Sequence, residues 1–224
     1  MLSIGNRRDL NDSERNEGMG SFFSNIKLEI PRTMTLAELE EALDAIMDGR
    51  SYERSEAPAD RAIHVAWDRN GKWLTIYDEG NAAGDWDELD GIAGELSLRA
   101  GTYAVSNTVL DSDLLRMRLF EQGRASDIYI NDPELYNEMM NESCDSKGEL
   151  SKWLPLLKEG PDELLLAGIW EKEEVFAEDK LALLADAYGW SAAASGMGLS
   201  EWEELGQDHA PAVLRLYFRE VSES

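Results

Sequence analysis

The chain has a single cysteine, Cys144, among its 224 residues, so no internal disulfide can form and nothing calls for an oxidising compartment. It has two histidines, His64 and His209, far apart and without cysteine or acidic ligands at metal spacing beside either. That leaves no zinc motif and no expected metal or cofactor. No Gly-x-Ser-x-Gly elbow occurs, and no Gly-rich loop runs into Lys-Ser or Lys-Thr. Acyl transfer and nucleotide hydrolysis therefore lack a motif, no catalytic residue is assigned, and the balance leans away from an enzyme. Cys144 stands in Glu-Ser-Cys-Asp-Ser, the opposite of the electropositive setting that a nucleophilic thiolate needs. Long apolar runs are missing as well. No stretch approaches the length of a membrane-spanning helix, and Met1 to Gly20 mixes Arg, Asp, Asn and Glu with no apolar segment of a signal peptide. A soluble, cytoplasmic protein is the expectation.

Cations are the scarcest resource. Lys and Arg number 21 against 46 Asp and Glu, a formal net charge of -25. Such a surface repels nucleic-acid phosphates and anionic lipid, so direct binding to either is not expected, and it steers basic surfaces inward. The plainer alternative is that the acidity serves solubility. Hydrophobic residues are nonetheless 43% of the chain, enough for a real core rather than a disordered acidic tail.

The pattern along the chain predicts an α+β fold: a mainly antiparallel sheet with two helices of the first half on one face, then a helical C-terminal part and one returning strand. Residues 1–20 lack a hydrophobic period and read as a mobile leader, 21–130 as the sheet domain, and 131–224 as the helical part packed on it. Phe22 to Ile30, closed by Pro31, has strand character. Thr35-Leu36-Ala37-Glu38 is a capping box opening an amphipathic helix to Gly49. Asn70-Gly71 suits a type I′ turn, so a hairpin follows in which Trp67 faces Leu74, Val65 faces Ile76 and His64 faces Tyr77. A second helix, capped by Asp85, covers Trp86 to Ala100. Gly91 and Gly94 weaken it unless close packing requires them. Tyr103 to Leu110 reads as a strand, and a second hairpin turns at Gln122-Gly123, with Glu121 opposite Arg124. Unbroken pairing from that turn sets Met117 opposite Ile128, Arg118 opposite Asp127 and Arg116 opposite Tyr129. Beyond Asn131, helices are expected near Glu134–Asn141, Leu150–Leu157, Asp162–Lys172 and Ala177–Tyr188. Ser195 to Gly198 reads as a flexible connector, and alternation near 213–219 marks the last strand.

Two groups of residues carry the functional readings. Residues 131–224 hold 21 acidic and 7 basic residues, -14 of the total -25. An acidic patch at Glu173, Glu174, Glu178 and Asp179 is the first candidate, a docking site for a basic protein partner. In charge and size the chain is similar to bacterial immunity proteins that neutralise toxic nucleases, which implies a non-catalytic inhibitor. The competing reading joins His64, Trp73, Tyr77, Arg116, Arg118 and Tyr129 on one mixed sheet face, where aromatic rings and clustered cations could hold a small anion or serve an enzyme. His64 alone reads as a hydrogen-bonded structural residue. The seven tryptophans, Trp153, Trp170 and Trp202 among them, read as core anchors. The Asp85–Asp90 carboxylates miss the spacing of a calcium loop, and Asp111 and Asp113 suit a turn.

Overall fold

The structure is a computed structural model that describes residues 20–31, 33–68, 71–80, 85–140, 144, 147–206 and 212–221. The expected leader and His209 lie outside the described residues. Eight strands form one antiparallel sheet: β1 (Phe23–Glu29), β2 (Tyr52–Ser55), β3 (Arg61–Trp67), β4 (Trp73–Asp78), β5 (Tyr103–Leu110), β6 (Leu114–Glu121), β7 (Arg124–Ile130) and β8 (Ala212–Glu220). Their spatial order is β2-β8-β3-β4-β1-β5-β6-β7. The α+β class, the two helices on one face, the helical C-terminal part and the returning strand all follow the sequence pattern. β2, only four residues without alternating apolar positions, has no sequence signal and pairs with β8 alone.

Helices α1 (Leu36–Asp48) and α2 (Trp86–Ala100) lie on one face. Thr35 accepts the Glu38 amide at 3.2 Å and the Glu38 carboxylate accepts the Thr35 amide at 2.7 Å, which satisfies two amide donors at the start of α1. Leu39, Leu43 and Ile46 of α1 and Leu89, Ile92 and Leu96 of α2 close over Ile26, Leu28, Ile63, Val65, Leu74 and Ile76. Gly94 lets α2 lie close on β6: a Cβ there would sit 3.3 Å from the Phe120 ring, which would have to shift by a few tenths of an ångström. Helix α3 (Pro133–Met140) also packs on the α2 side, with Tyr136 against Leu114, Ile130 and Trp86. The other face is covered by α4 (Leu150–Trp153), α5 (Glu163–Glu171) and α6 (Ala177–Tyr188), which supply its core. Trp153, Leu166, Trp170, Leu181, Leu184 and Tyr188 pack there against Trp73, Val105, Leu115, Met117, Leu119 and Tyr129.

A sheet covered on both faces leaves no solvent side for polar residues, so each one inside must find a partner. On the central strand β1, the fully buried Lys27 ammonium lies 3.4 Å from Asp68 and donates to Thr75 Oγ1 at 2.5 Å. Burial pulls its pKa down to about 8, with Asp68 pulling the other way. Asn25, two residues earlier, donates to the carbonyls of Ser195 and Met197 at 2.9 and 3.0 Å and accepts from Asn107. The expected flexible connector is therefore a pinned loop: Ser195 is fully buried.

β8 occupies the interior of the sheet, between β2 and β3, and brings Leu216 and Phe218 into the core under α1 and α2. A chain ending at Gly206 is expected to lose near-ultraviolet dichroism and cooperative unfolding. Phe218→Ala alone should cost about 3–5 kcal/mol in urea denaturation. A truncated chain that still unfolds in one sharp transition would show that the sheet does not require β8.

Candidate functional site

The mixed face resolves into two opposite faces: pairing through β1 and β5 puts Arg118 in one row with Ile76 and Ile26, on the face away from His64, Trp73 and Tyr77, and a bulge in the last hairpin carries Tyr129 away from the arginines. The β6–β7 hairpin starts in the expected register, Glu121 opposite Arg124, but slips between Leu119 and Phe120. Beyond the slip Arg116 pairs with Ile130, Met117 with Tyr129 and Arg118 with Ile128, because an extra residue on one strand exchanges its two faces. The expected Arg118–Asp127 and Arg116–Tyr129 pairs do not form. Tyr129 joins His64, Trp73 and Tyr77 on the side of the C-terminal helices, all four buried. Arg116 and Arg118 point to the α2 side.

On the C-terminal side the aromatic residues build structure. Tyr129 sits 4.7 Å from the Trp170 ring and 6.5 Å from that of Trp153, centre to centre, and Trp73 packs edge-on against Trp190 at 5.5 Å. Tyr77 stacks on Trp202 at 5.3 Å and donates to the Ala194 carbonyl at 2.8 Å. Desolvation raises the pKa of Tyr77 and of Tyr129, so neither hydroxyl offers an accessible acid or base. The tryptophans expected as anchors, Trp153, Trp170 and Trp202, are all buried.

Arg116 and Arg118 open on a cleft of 630 Å³, lined also by Trp86, Ile128, Tyr136 and Met140. Arg116 is only 4% exposed and grips Asp90 of α2 with both terminal nitrogens, at 3.2 and 2.6 Å. Its guanidinium lies 5.2 Å from the Trp86 ring centre, and Trp86 stacks with Tyr136 at 6.1 Å. Burial opposes the Arg116 charge, but Asp90 and then Tyr136 outweigh it and hold its pKa above the ordinary arginine value. Arg118, 37% exposed, shares the same carboxylate at 3.0 Å. One carboxylate thus serves two guanidiniums. The Asp90–Arg116 pair was hidden in the sequence, since Asp90 looks like one more acid on a helix. Only its position one turn beyond the Asp85 cap, on the same face as Trp86, hints that it turns inward.

The acidic candidates lie together between α5 and the first turn of α6, and they divide in role. Glu174 pairs with Lys172 at 2.5 Å, and Glu178 accepts from Ser112 Oγ at 2.7 Å. Glu173 and Asp179 are exposed. Between them Val175 and Phe176 stand 79% and 53% exposed. Lys180 is turned inward and donates to the backbone carbonyls of Ile169 and Lys172, so it does not neutralise the outer carboxylates. A groove of 730 Å³ beside this segment is bordered by Asp113, Asp132, Glu134, Glu171 and Glu173, with Lys147 and Lys172 on its cationic side.

Among the described residues, no three His, Cys, Asp or Glu side chains gather so as to hold a metal ion, and no helix is long and apolar enough to cross a membrane. No family model, curated protein or solved structure matches the chain.

His64 departs from its expected role. Among the described residues neither ring nitrogen has a hydrogen-bond partner; the Glu203 carboxylate, half-exposed, lies 3.6 Å away. The ring is wedged edge-on between Trp202 and Tyr217 at 5.4 and 6.0 Å. Desolvation, then the Arg215 charge, lowers its pKa from 6.5 to about 4. Between those two values the unfolded chain takes up a proton that the folded protein refuses. His64 therefore makes stability fall as pH drops from 6.5 toward 4, with its full contribution above 6.5. In urea titrations across this range, His64→Phe should flatten that part of the stability–pH curve. An unchanged slope would mean that His64 does not titrate there.

Proposed function

We propose that this protein is a non-catalytic binding protein that occupies a basic protein partner, in the manner of an inhibitor or immunity protein. The observation that carries the reading is the exposed Val175–Phe176 pair set among Glu171, Glu173 and Asp179. Exposed apolar side chains inside a charged rim are the usual composition of a contact centre: the apolar pair supplies affinity once desolvated, and the rim selects the sign of the partner. The net charge supplies the approach, since a field this negative accelerates encounter with a cationic surface. The aromatic side chains of the C-terminal face contribute nothing to catalysis in this reading, because they are sealed in the core.

The roles of the four acidic candidates decide which substitutions are informative. Glu174 and Glu178 are held by Lys172 and Ser112, and reversing them disturbs the α5–α6 connection itself. Glu173 and Asp179 can be reversed without breaking a described contact. The partner is first captured at low salt from the native cell and identified, then titrated by calorimetry. Its affinity should fall at least tenfold between about 50 and 500 mM salt. It should fall by a similar factor for Glu173→Lys/Asp179→Lys and for Phe176→Ala, with their unfolding midpoints unchanged. An affinity that neither salt nor these variants alters would contradict the proposal.

A further inference from the structure

We infer that the cleft between α2, β6 and α3 is a binding site for a small monocarboxylate carried on an apolar body, with Arg118 as its anchor. The charge count comes first. Arg116 and Arg118 share the single carboxylate of Asp90, so one positive charge at the cleft floor has no buried counterpart. Arg118 spends one donor on Asp90, through Nη1 at 3.0 Å, and its 37% exposure leaves the rest of its planar donor set facing the cleft. The geometry of a guanidinium favours a carboxylate, which offers two acceptor oxygens in a matching plane.

A second, independent observation is that the same wall is short of acceptors. Arg116 Nε and Trp86 Nε1 are both shielded from water, and neither has a hydrogen-bond partner among the described residues. An unpartnered buried donor is costly, and both of these belong to residues that line the cleft. Arg116 is fixed by its grip on Asp90 and by the Trp86 ring. The shortage therefore belongs to a rigid wall rather than to a mobile side chain. A carboxylate seated against Arg118 would place its negative charge beside the positive charge that the Arg116–Arg118 pair carries in excess over Asp90.

The remaining walls define the rest of the ligand. A volume of 630 Å³ is far larger than a carboxylate and falls in the range of small-molecule pockets. Ile128, Ile130 and Met140 line it with apolar surface, where a hydrocarbon body gains by leaving water. Asp85 and Asp87 also border the cleft. They disfavour a dianion such as phosphate while leaving a monoanion attached to the arginine. Asp127, a third bordering carboxylate, is already held by the Glu149 amide and the Trp153 indole, both at 2.7 Å.

The test uses the full chain labelled with nitrogen-15 and three probes: 3-phenylpropionate, the neutral alcohol 3-phenylpropanol, and inorganic phosphate. The Trp86 indole N–H resonance, assigned by its loss in Trp86→Phe, reports on the site. Phenylpropionate should shift that resonance saturably with a dissociation constant near about 1 mM or below. The alcohol and phosphate should bind at least about tenfold more weakly. Arg118→Met should weaken phenylpropionate binding at least about tenfold, and Asp90 keeps Arg116 as partner in that variant. If Arg118→Met does not fold, Arg118→Lys, which keeps the charge and loses the planar fork, should weaken it at least about threefold. Equal affinity for acid and alcohol, no saturation by about 20 mM acid, or undiminished binding by the arginine variant would overturn the assignment.

Discussion

Covering both faces of one sheet forces charge into the interior, and pairing that charge is the constraint on which the structure depends. Among the described residues four cations, Lys27, Arg61, Arg116 and Lys180, are buried, against three buried carboxylates, Asp68, Asp78 and Asp90. Each cation has a specific partner. Lys27 meets Asp68 across β1 and its neighbours, Arg61 grips Asp78 on β4 and reaches Glu88 of α2, and Arg116 holds Asp90. Lys180 is bound by backbone carbonyls. Arg61 and Arg116 each tie a strand to α2, so these pairs fix the helix on the sheet as well as neutralising the interior. Losing one member of such a pair leaves the other charged and dry, which costs far more than the pair is worth against an apolar replacement.

The same arrangement explains the exterior. Among the described residues four cations but only three acids are buried, so the interior takes up none of the surplus of negative charge that the composition supplies. The acidity is thus sharpened by the fold and not only by composition. It becomes distinctive where apolar side chains break through it, at Val175 and Phe176. The short helix α3 borders both clefts, Tyr136 and Met140 on the arginine side and Glu134 and Leu135 on the acidic side. Two clefts, one lined by the arginine pair and one by lysines and a larger set of carboxylates, therefore share one structural element.

Much of the fold was legible because its signals are local. The Thr35–Glu38 capping box, the Asp85 cap, the Asn70-Gly71 pair and the apolar stripe of α6 each act within a turn or two, and the elements they predict are present. What escaped depends on distant contacts. The slip between Leu119 and Phe120 has no glycine to announce it, yet it sends Arg116 and Tyr129 to opposite faces, and the long-range pairing through β1 and β5 that sets both arginines on the face away from His64, Trp73 and Tyr77 has no local signal at all. The glycines after Ser195 imitate a linker, while the carbonyls of that loop are pinned by Asn25, 170 residues earlier. Lys27 sits in an apolar run and gives no sign that Asp68 will meet it. Nor could spacing show that Glu174 and Glu178 are held while Glu173 and Asp179 are exposed.

The claim that paired interior charge holds this sheet together is tested most directly at Lys27 and Asp68. Urea unfolding at pH 7 is measured for Asp68→Asn and for the apolar pair Lys27→Met/Asp68→Leu. The single substitution should lose about 3–5 kcal/mol, whereas the pair, with no charge left stranded, should lose much less or none of it. A single variant as stable as the parent chain, or a pair less stable than the single, would contradict it.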